Sequence, residues 1–239
     1  FEDKEYNHVL EAFRTARLSE QLRNNLRKYL QVMTKPLAVR SSGLFEDSLN
    51  QPFAGVYSTY LLPNNHPDIE RRLEDVENAI KLVFASIYSP ESRAYFNAID
   101  YMIEEEKMAV IIQEVIGNEH NGRYYPEISG VAQSYNFYPF SYIQPEDGFA
   151  VTAIGLGAYV VGEKTHRFSP AYPKLQLAST QDKIKASQRY FYGVNMLAQD
   201  YDLYRDGEKT GKTLPSKHTT SQKPSVTAHW NTPLPFTTS

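Results

Sequence analysis

Lys35-Pro-Leu-Ala-Val-Arg-Ser-Ser-Gly-Leu-Phe-Glu-Asp-Ser-Leu-Asn-Gln-Pro-Phe-Ala-Gly-Val56 joins a short apolar strand to an arginine and a run of small residues. Successive strand residues point to opposite faces, so Leu37 and Val39 share one face while Ala38 and Arg40 share the other. This places the arginine at the mouth of the strand, where Ser41, Ser42 and Gly43 let the backbone come close to a ligand. A planar, permanently charged guanidinium with several donors suits phosphate oxygens, and two hydroxyls with exposed amides can complete the shell. The same residues admit a plainer account, in which Arg40 pairs with Glu46 or Asp47 and the ion pair holds the loop. Those two acids could also orient a metal-bound water or simply be solvated.

Outward from this stretch, the pattern alternates between helices and strands. Ser19 can cap a helix whose leucines at 22, 26 and 30 form one narrow apolar stripe. Pro67 suits a first helical position, with Asp68 and Glu70 at the positive end of the dipole. The face Ile69, Leu73, Val76, Ile80, Phe84 and Ile87 then continues the helix. Ser89-Pro90-Glu91 restarts a helix that runs to about Asp100. Met108 to Ile116 is almost entirely apolar and branched, which predicts a strand buried on both faces. Gly117 to Pro126 predicts a loop or hairpin tip, Ile128 to about Asn136 a second strand, and Gly148 to Leu156 a third. Ile184, Phe191, Val194 and Leu197 predict a helix after Thr180. From Arg205 onward, lysine, threonine, serine, proline and glycine dominate, which predicts an extended or partly disordered tail with a turn at Asp206-Gly207. Strands flanked by long helices, partly as adjacent hairpins, predict an α+β sandwich with a mixed or antiparallel sheet. The expected organisation is a leading helical segment over 1–35, an α+β region over 36–178, a helical segment over 179–204 and the tail over 205–239.

Composition narrows the function. The 239 residues suffice for one large domain or two small ones, with 41% hydrophobic and 22% charged residues. No apolar run approaches the roughly 20 residues that a membrane helix needs, so no membrane partner is expected. With no cysteine, the chain has no disulfides, thiolate zinc sites or cysteine nucleophiles, which fits a reducing, cytoplasmic setting. A net charge of −3 makes no electrostatic case for nucleic acid as a partner. The chain opens on Phe1 and not on methionine, and is expected to be a piece of a longer protein.

Ala38-Val-Arg-Ser-Ser42, Glu46-Asp47 and Phe53-Ala-Gly55 together resemble the N-terminal nucleotide-binding region of phosphoenolpyruvate synthase and pyruvate phosphate dikinase. In that family an arginine followed by two small residues opens a phosphate-contacting loop. Met108 to Val115 and Ile128 to Ser134 are similar to the family's paired strands through the purine pocket, and Ile154 to Gly162 is similar to its Gly-Leu-Gly segment. Phe53 to Asn65 and Arg167 to Pro173 look like a subgroup characterised only as containing this binding domain. The resemblance implies an ATP-grasp-like sandwich, incomplete at both ends. ATP would be the cofactor and the nucleotide the partner. Arg40, Ser41 and Ser42 would contact phosphates, while Gln113, Glu114, Val115 and Ser134 would line the base and ribose pocket.

Gln113 carries weight of its own. A buried amide without partners costs on the order of 1–3 kcal/mol, so either a purine edge or a local backbone group must satisfy it. Ser134 keeps the hydroxyl of a threonine that the family tends to have near the nucleotide.

Several parts of the family's machinery are not recognised. No glycine-rich opening with its lysine is found, and no Asp-x-Glu pair with a following glutamine for magnesium, so Mg2+ is implied without ligands in this chain. Asp200-Tyr-Asp202 lacks the apolar strand and the glutamine and is not taken as that pair. Ala158 stands where phosphoenolpyruvate synthases often carry glutamate after Gly-Leu-Gly. Gly155-Leu-Gly157 is not a dinucleotide fingerprint, because Val160 fills the third glycine position. The six histidines are scattered, without metal-ligand spacing. None lies in the Gly-Gly-x-Thr-x-His setting of the family's swivelling phosphohistidine domain, which would be a partner in a full-length protein. No catalytic or metal-ligating residue is assigned. The resemblance thus implies the ATP-binding part of a phosphotransferase, with a noncatalytic nucleotide-sensing or interaction module as the alternative and a purely structural domain as a third reading.

Overall fold

Side-chain caps and apolar stripes set the helices that carry the central sheet. The computed structural model of the chain describes residues 2–44, 56–99, 102–139, 141–157, 166–175, 192–198 and 201–206. Helix α1 spans Glu2–Thr15 and α2 spans Glu20–Val32. The Ser19 hydroxyl accepts from Leu22 N at 3.3 Å, satisfying one of the donors that open every helix. Of the α2 stripe, Leu26 and Leu30 are buried whereas Leu22 is 40% exposed. Helix α3 spans Ile69–Ala85, two residues later than the proline signal predicts. Asp68 is its cap, accepting from Glu70 N at 2.9 Å, and Pro67 precedes it. Helix α4 spans Pro90–Ile99, with the Ser89 hydroxyl accepting from Ser92 N at 3.1 Å.

Strand β1 spans Leu37–Gly43, β2 Thr59–Leu62 and β3 Met108–Glu114. They form one antiparallel sheet in the order β2-β1-β3, with Val39 opposite Tyr60 and Ile112, and Arg40 opposite Thr59 and Ile111. Leu37, Val39, Tyr60 and Leu62 pack against Leu26, Leu30, Leu73, Val76, Ile80 and Val83 of α2 and α3. Each such side chain, fully buried, contributes about 1.5–3 kcal/mol. The link from α2 into β1 is fixed by Asn64, held at φ 54°, whose amide donates to the carbonyls of Met33 and Lys35 at 2.9 Å. Arg72 adds bonds to the carbonyls of Met33 and Leu30. Arg27 grips Glu70 through two donors at 2.6 and 3.0 Å, tying α2 to α3.

Two further antiparallel sheets complete the strands among the described residues. The predicted hairpin tip is itself a hairpin of β4 (Asn118–His120) and β5 (Arg123–Tyr125), turned by Asn121 and Gly122 at φ 51° and 75°. Two consecutive positive φ values are what such a tight turn requires. The other sheet joins β6 (Ile128–Gln133), β7 (Phe149–Ile154) and β8 (His166–Phe168). Gly148 precedes β7 at φ 63°, and a Cβ there would lie 2.2 Å from the Gln133 carbonyl oxygen, so only glycine fits the turn.

The architecture is therefore α+β with antiparallel sheets and helices, and three expectations change. Strand β3 is an edge strand whose residues alternate half-buried and exposed, not a strand covered on both faces. Val194 lies in strand β9 (Val194–Asn195), paired with β5, not in a helix, and Leu197 beyond it is 76% exposed. Arg205 lies in a short helix α5 (Leu203–Asp206), where an extended tail is expected to begin. The rest of the expected helix over 180–191, and the tail from 207, lie outside the described residues. Against α3, the Tyr201 hydroxyl donates to the buried Asp75 carboxylate at 2.8 Å, docking the segment that leads into α5.

Candidate functional site

Strand β1 has two distinct faces. Leu37, Val39 and Ser41 point to the helices, and the alternation puts Ala38, Arg40 and Ser42 on the other side with Thr59, Leu61, Ala109, Ile111 and Gln113 of the flanking strands. One end of this second face is covered. Ala38 packs with Val115, Tyr124, Leu156 and Val194, so the three sequence blocks represented by Ala38, Val115 and Leu156 meet in one apolar cluster. The Gly155-Leu156 turn is fixed there by Leu156 N donating to the Tyr192 carbonyl at 2.9 Å. Toward Arg40 the cover ends: Arg40 and Gln113 are exposed, and Ile111 is 36% exposed.

Arg40 is thus neither at the strand's mouth nor inside the protein. It stands at the middle of a seven-residue strand, because Ser41 and Ser42 remain paired with Val110 and Ala109. Its Nε donates to the neighbouring Ser41 carbonyl at 3.3 Å, and among the described residues no acid forms an ion pair with it. Glu46 and Asp47 lie outside the described residues. The guanidinium therefore faces a sheet surface that no described element covers, with the half-buried Ser42 on the same side.

The other predicted residues divide. Ser41 is 3% exposed on the helix-covered face, so its side chain points away from Arg40. Gln113 shares the open face with Arg40 but is exposed, so no desolvation cost demands a partner for its amide. The Glu114 carboxylate belongs to the opposite face and accepts from Lys35 Nζ at 2.7 Å, a bond that holds the ammonium pKa above its ordinary value. Val115 N donates to the Pro36 carbonyl at 2.8 Å, which removes that N–H from the set of free donors. Backbone groups alternate direction along an antiparallel strand, so with Val115 and Gln113 turned toward β1, those of Ile112 and Glu114 face the outer edge of β3. Among the described residues no strand pairs with that edge. Ser134 is exposed just after β6, in a different sheet. The expected pairing of the Met108 and Ile128 segments is not made: β3 pairs with β1, and β6 with β7.

One buried acid escaped the sequence reading. Glu106 is 8% exposed, and its carboxylate accepts from the Tyr57 hydroxyl at 2.5 Å and from Leu44 N at 2.7 Å. These bonds tie the chain ends on both sides of residues 45–55, and the carboxylate packs so closely on β1 that a Cβ at Gly43 would sit 3.0 Å from it. In the sequence Glu106 closes the run Glu104-Glu105-Glu106, which has the signature of a solvated stretch.

Other candidates are structural. The Asp202 carboxylate accepts from Tyr204 N at 2.9 Å and Arg205 N at 3.4 Å, capping α5, while Asp200 lies outside the described residues. Among the described residues no group of three or more His, Asp or Glu could hold a metal ion, and no helix is long and apolar enough to cross a membrane.

Two comparisons with known proteins bear on the chain's family. The model of a family described as pyruvate phosphate dikinase, AMP/ATP-binding domain, matches residues 2–220. A phosphoenolpyruvate synthase of Aeropyrum pernix is similar, 28% identical over 129 residues, which is 54% of this chain. The aligned stretch is 13% of that synthase, so the chain corresponds to a small part of its length.

Proposed function

The chain belongs to the pyruvate phosphate dikinase AMP/ATP-binding domain family, and from that premise we propose that it holds ATP on the open face of the β2-β1-β3 sheet. Arg40 and Ser42 contact the phosphates. The outer edge of β3 at Ile112 and Glu114 offers backbone donors and acceptors to the adenine edge, with the Gln113 amide beside it. Ser41 and Val115 act beneath the nucleotide, through the core face and the strand pairing. Ser134 supplies a hydroxyl for the ribose from the β6 sheet. The observation that carries this reading is that, among the described residues, Arg40 has no ion-pair partner, nothing covers its sheet face and no strand pairs with the adjacent edge of β3.

Residues 36–178 then form the nucleotide-binding region of an ATP-grasp type, with 1–35 as a leading helical segment, 179–204 as a following segment and 205–239 as a tail. Magnesium arrives with the nucleotide, and among the described residues no group of three or more His, Asp or Glu could hold it. In the full-length, cytoplasmic protein, ATP would phosphorylate a histidine on a swivelling domain. This chain positions ATP and carries out no chemistry alone. A nucleotide-sensing module is favoured over transfer by one feature, Ala158 in place of the glutamate that often follows Gly-Leu-Gly in phosphoenolpyruvate synthases.

Calorimetric titration of ATP with magnesium tests the binding claim. A charge-assisted hydrogen bond contributes about 1.5–3 kcal/mol, so Arg40→Ala should weaken binding roughly 10- to 150-fold. Equal heats and affinities in both proteins would remove Arg40 from the site. Incubation of the full-length protein with radiolabelled ATP separates the two functions, since transfer leaves acid-labile phosphate on histidine and sensing leaves none.

A further inference from the structure

Residues after β6 and along the β6-β7-β8 sheet line a partly open cavity of about 40 Å3, on a different sheet from Arg40. Its polar lining comes from Asn136, Tyr138, Ser169 and the exposed Arg167, and its apolar walls include Ile143, Phe149 and Phe168. Ser169 is 3% exposed, and its Oγ has no hydrogen-bond partner among the described residues. A buried hydroxyl is rarely left in that condition, and this one borders an unfilled space.

Among the described residues the lining supplies donors and no acid. Asn136 is 4% exposed, and its Oδ1 accepts from Tyr138 N and from Arg167 Nη2, both at 3.1 Å. Both acceptor positions of that oxygen are thereby occupied, and the amide nitrogen remains as a donor. The Arg167 guanidinium stacks on Phe149, with Cζ 4.1 Å from the ring centroid, which fixes the plane of its remaining N–H groups. A guanidinium, an amide nitrogen and a hydroxyl around one small space select an anion. One positive charge against aromatic and aliphatic walls balances a singly charged group and leaves a dianion half-compensated. A flat two-oxygen acceptor also matches the arginine fork.

We propose that the cavity between Asn136, Arg167 and Ser169 binds the carboxylate of a small organic acid. The cavity holds a few water-sized volumes, which limits the occupant to about the size of acetate. This site stands on its own geometry and does not depend on where the nucleotide sits.

NMR titration of the full chain, following the Arg Nε–H and backbone amide signals, tests it with acetate as the probe. Acetamide serves as the neutral match and inorganic phosphate as the dianionic one. Saturable shifts at Arg167 and Ser169 with acetate are expected, with no response to acetamide and weaker binding of phosphate. Ser169→Ala should cut acetate affinity about tenfold, the size expected for one lost bond to a charged group, while the melting temperature holds or rises because an unpaired buried hydroxyl is gone. Arg167→Gln should abolish the shifts, and Arg40→Ala should leave them unchanged. Non-saturable shifts in the unmutated chain would overturn the proposal, as would acetate affinity unaltered in Ser169→Ala, and phosphate binding as tightly as acetate would overturn the choice of carboxylate.

Discussion

Ser41 and Ser42 are adjacent and chemically identical, yet the sheet assigns them opposite duties, and exchanging each for alanine separates the two faces of β1. Ser42 shares the open face with Arg40, whereas Ser41 is 3% exposed beneath the helices. If the Ser42 hydroxyl donates to a phosphate, its loss removes a bond to a charged group, about 1.5–3 kcal/mol, which is roughly 10- to 150-fold in affinity. The fold should barely register that change, because a substitution at a half-exposed polar position stays within about 0.5 kcal/mol. Ser41→Ala should do the reverse. Removing a buried polar group disturbs its surroundings by about 1–3 kcal/mol, and a domain of this size loses about 2–4 °C in melting temperature per kcal/mol. ATP affinity, measured by calorimetry at a temperature where both variants are folded, should be unaltered. Equal affinity losses in the two variants, or a larger loss in Ser41→Ala, would refute the assignment of faces.

Glu106→Ala strips the buried Tyr57 hydroxyl of its acceptor and should cost about 1–3 kcal/mol in urea denaturation; adding Tyr57→Phe to it should then cost little more. Burial pushes the Asp75 carboxyl above the usual carboxylate range, against the opposing pull of the Tyr201 hydroxyl and Arg71. The native state therefore holds that proton more tightly than the unfolded chain, so this group's contribution to stability falls as pH rises from about 4 through the raised value, then levels off. Denaturation of Asp75→Asn across that window should show a shallower dependence on pH. Gly148→Ala forces a Cβ to within 2.2 Å of the Gln133 carbonyl oxygen at a positive φ, and backbone strain alone should destabilise the fold by about 1–3 kcal/mol, read as a lowered urea midpoint.

Local chemistry made the helices legible. Ser19 and Ser89 are caps that a sequence displays directly, whereas Asp68, read as a first-turn acid behind Pro67, is itself the cap of α3; the stripe from Leu73 to Val76 and Ile80 is the buried face of that helix. Alternation from Leu37 to Arg40 identifies the two faces of β1. Continued for two more residues it would have separated Ser41 from Ser42, but the serines read as loop because small polar residues so often end strands. Facts set by distant partners were not legible. An apolar run such as Met108 to Ile116 does not say whether neighbours flank it on one side or two, so the exposed edge of β3 was missed, and with it the exposure of Gln113. Val194 owes its strand to pairing with Tyr124, seventy residues earlier, which no local periodicity records. Glu106 was hidden by its own neighbours, since burial of one acid in a run of three depends on Tyr57 and Leu44 closing over it.

Hydrogen exchange on the full chain, with and without ATP and magnesium, tests most directly whether the nucleotide occupies the open face of the β2-β1-β3 sheet. The account predicts slowed exchange at the Ile112 and Glu114 amides on the free edge, with no change at Val115, whose N–H is already held by Pro36. Protection absent from β3, or confined to the β6-β7-β8 sheet, would contradict it.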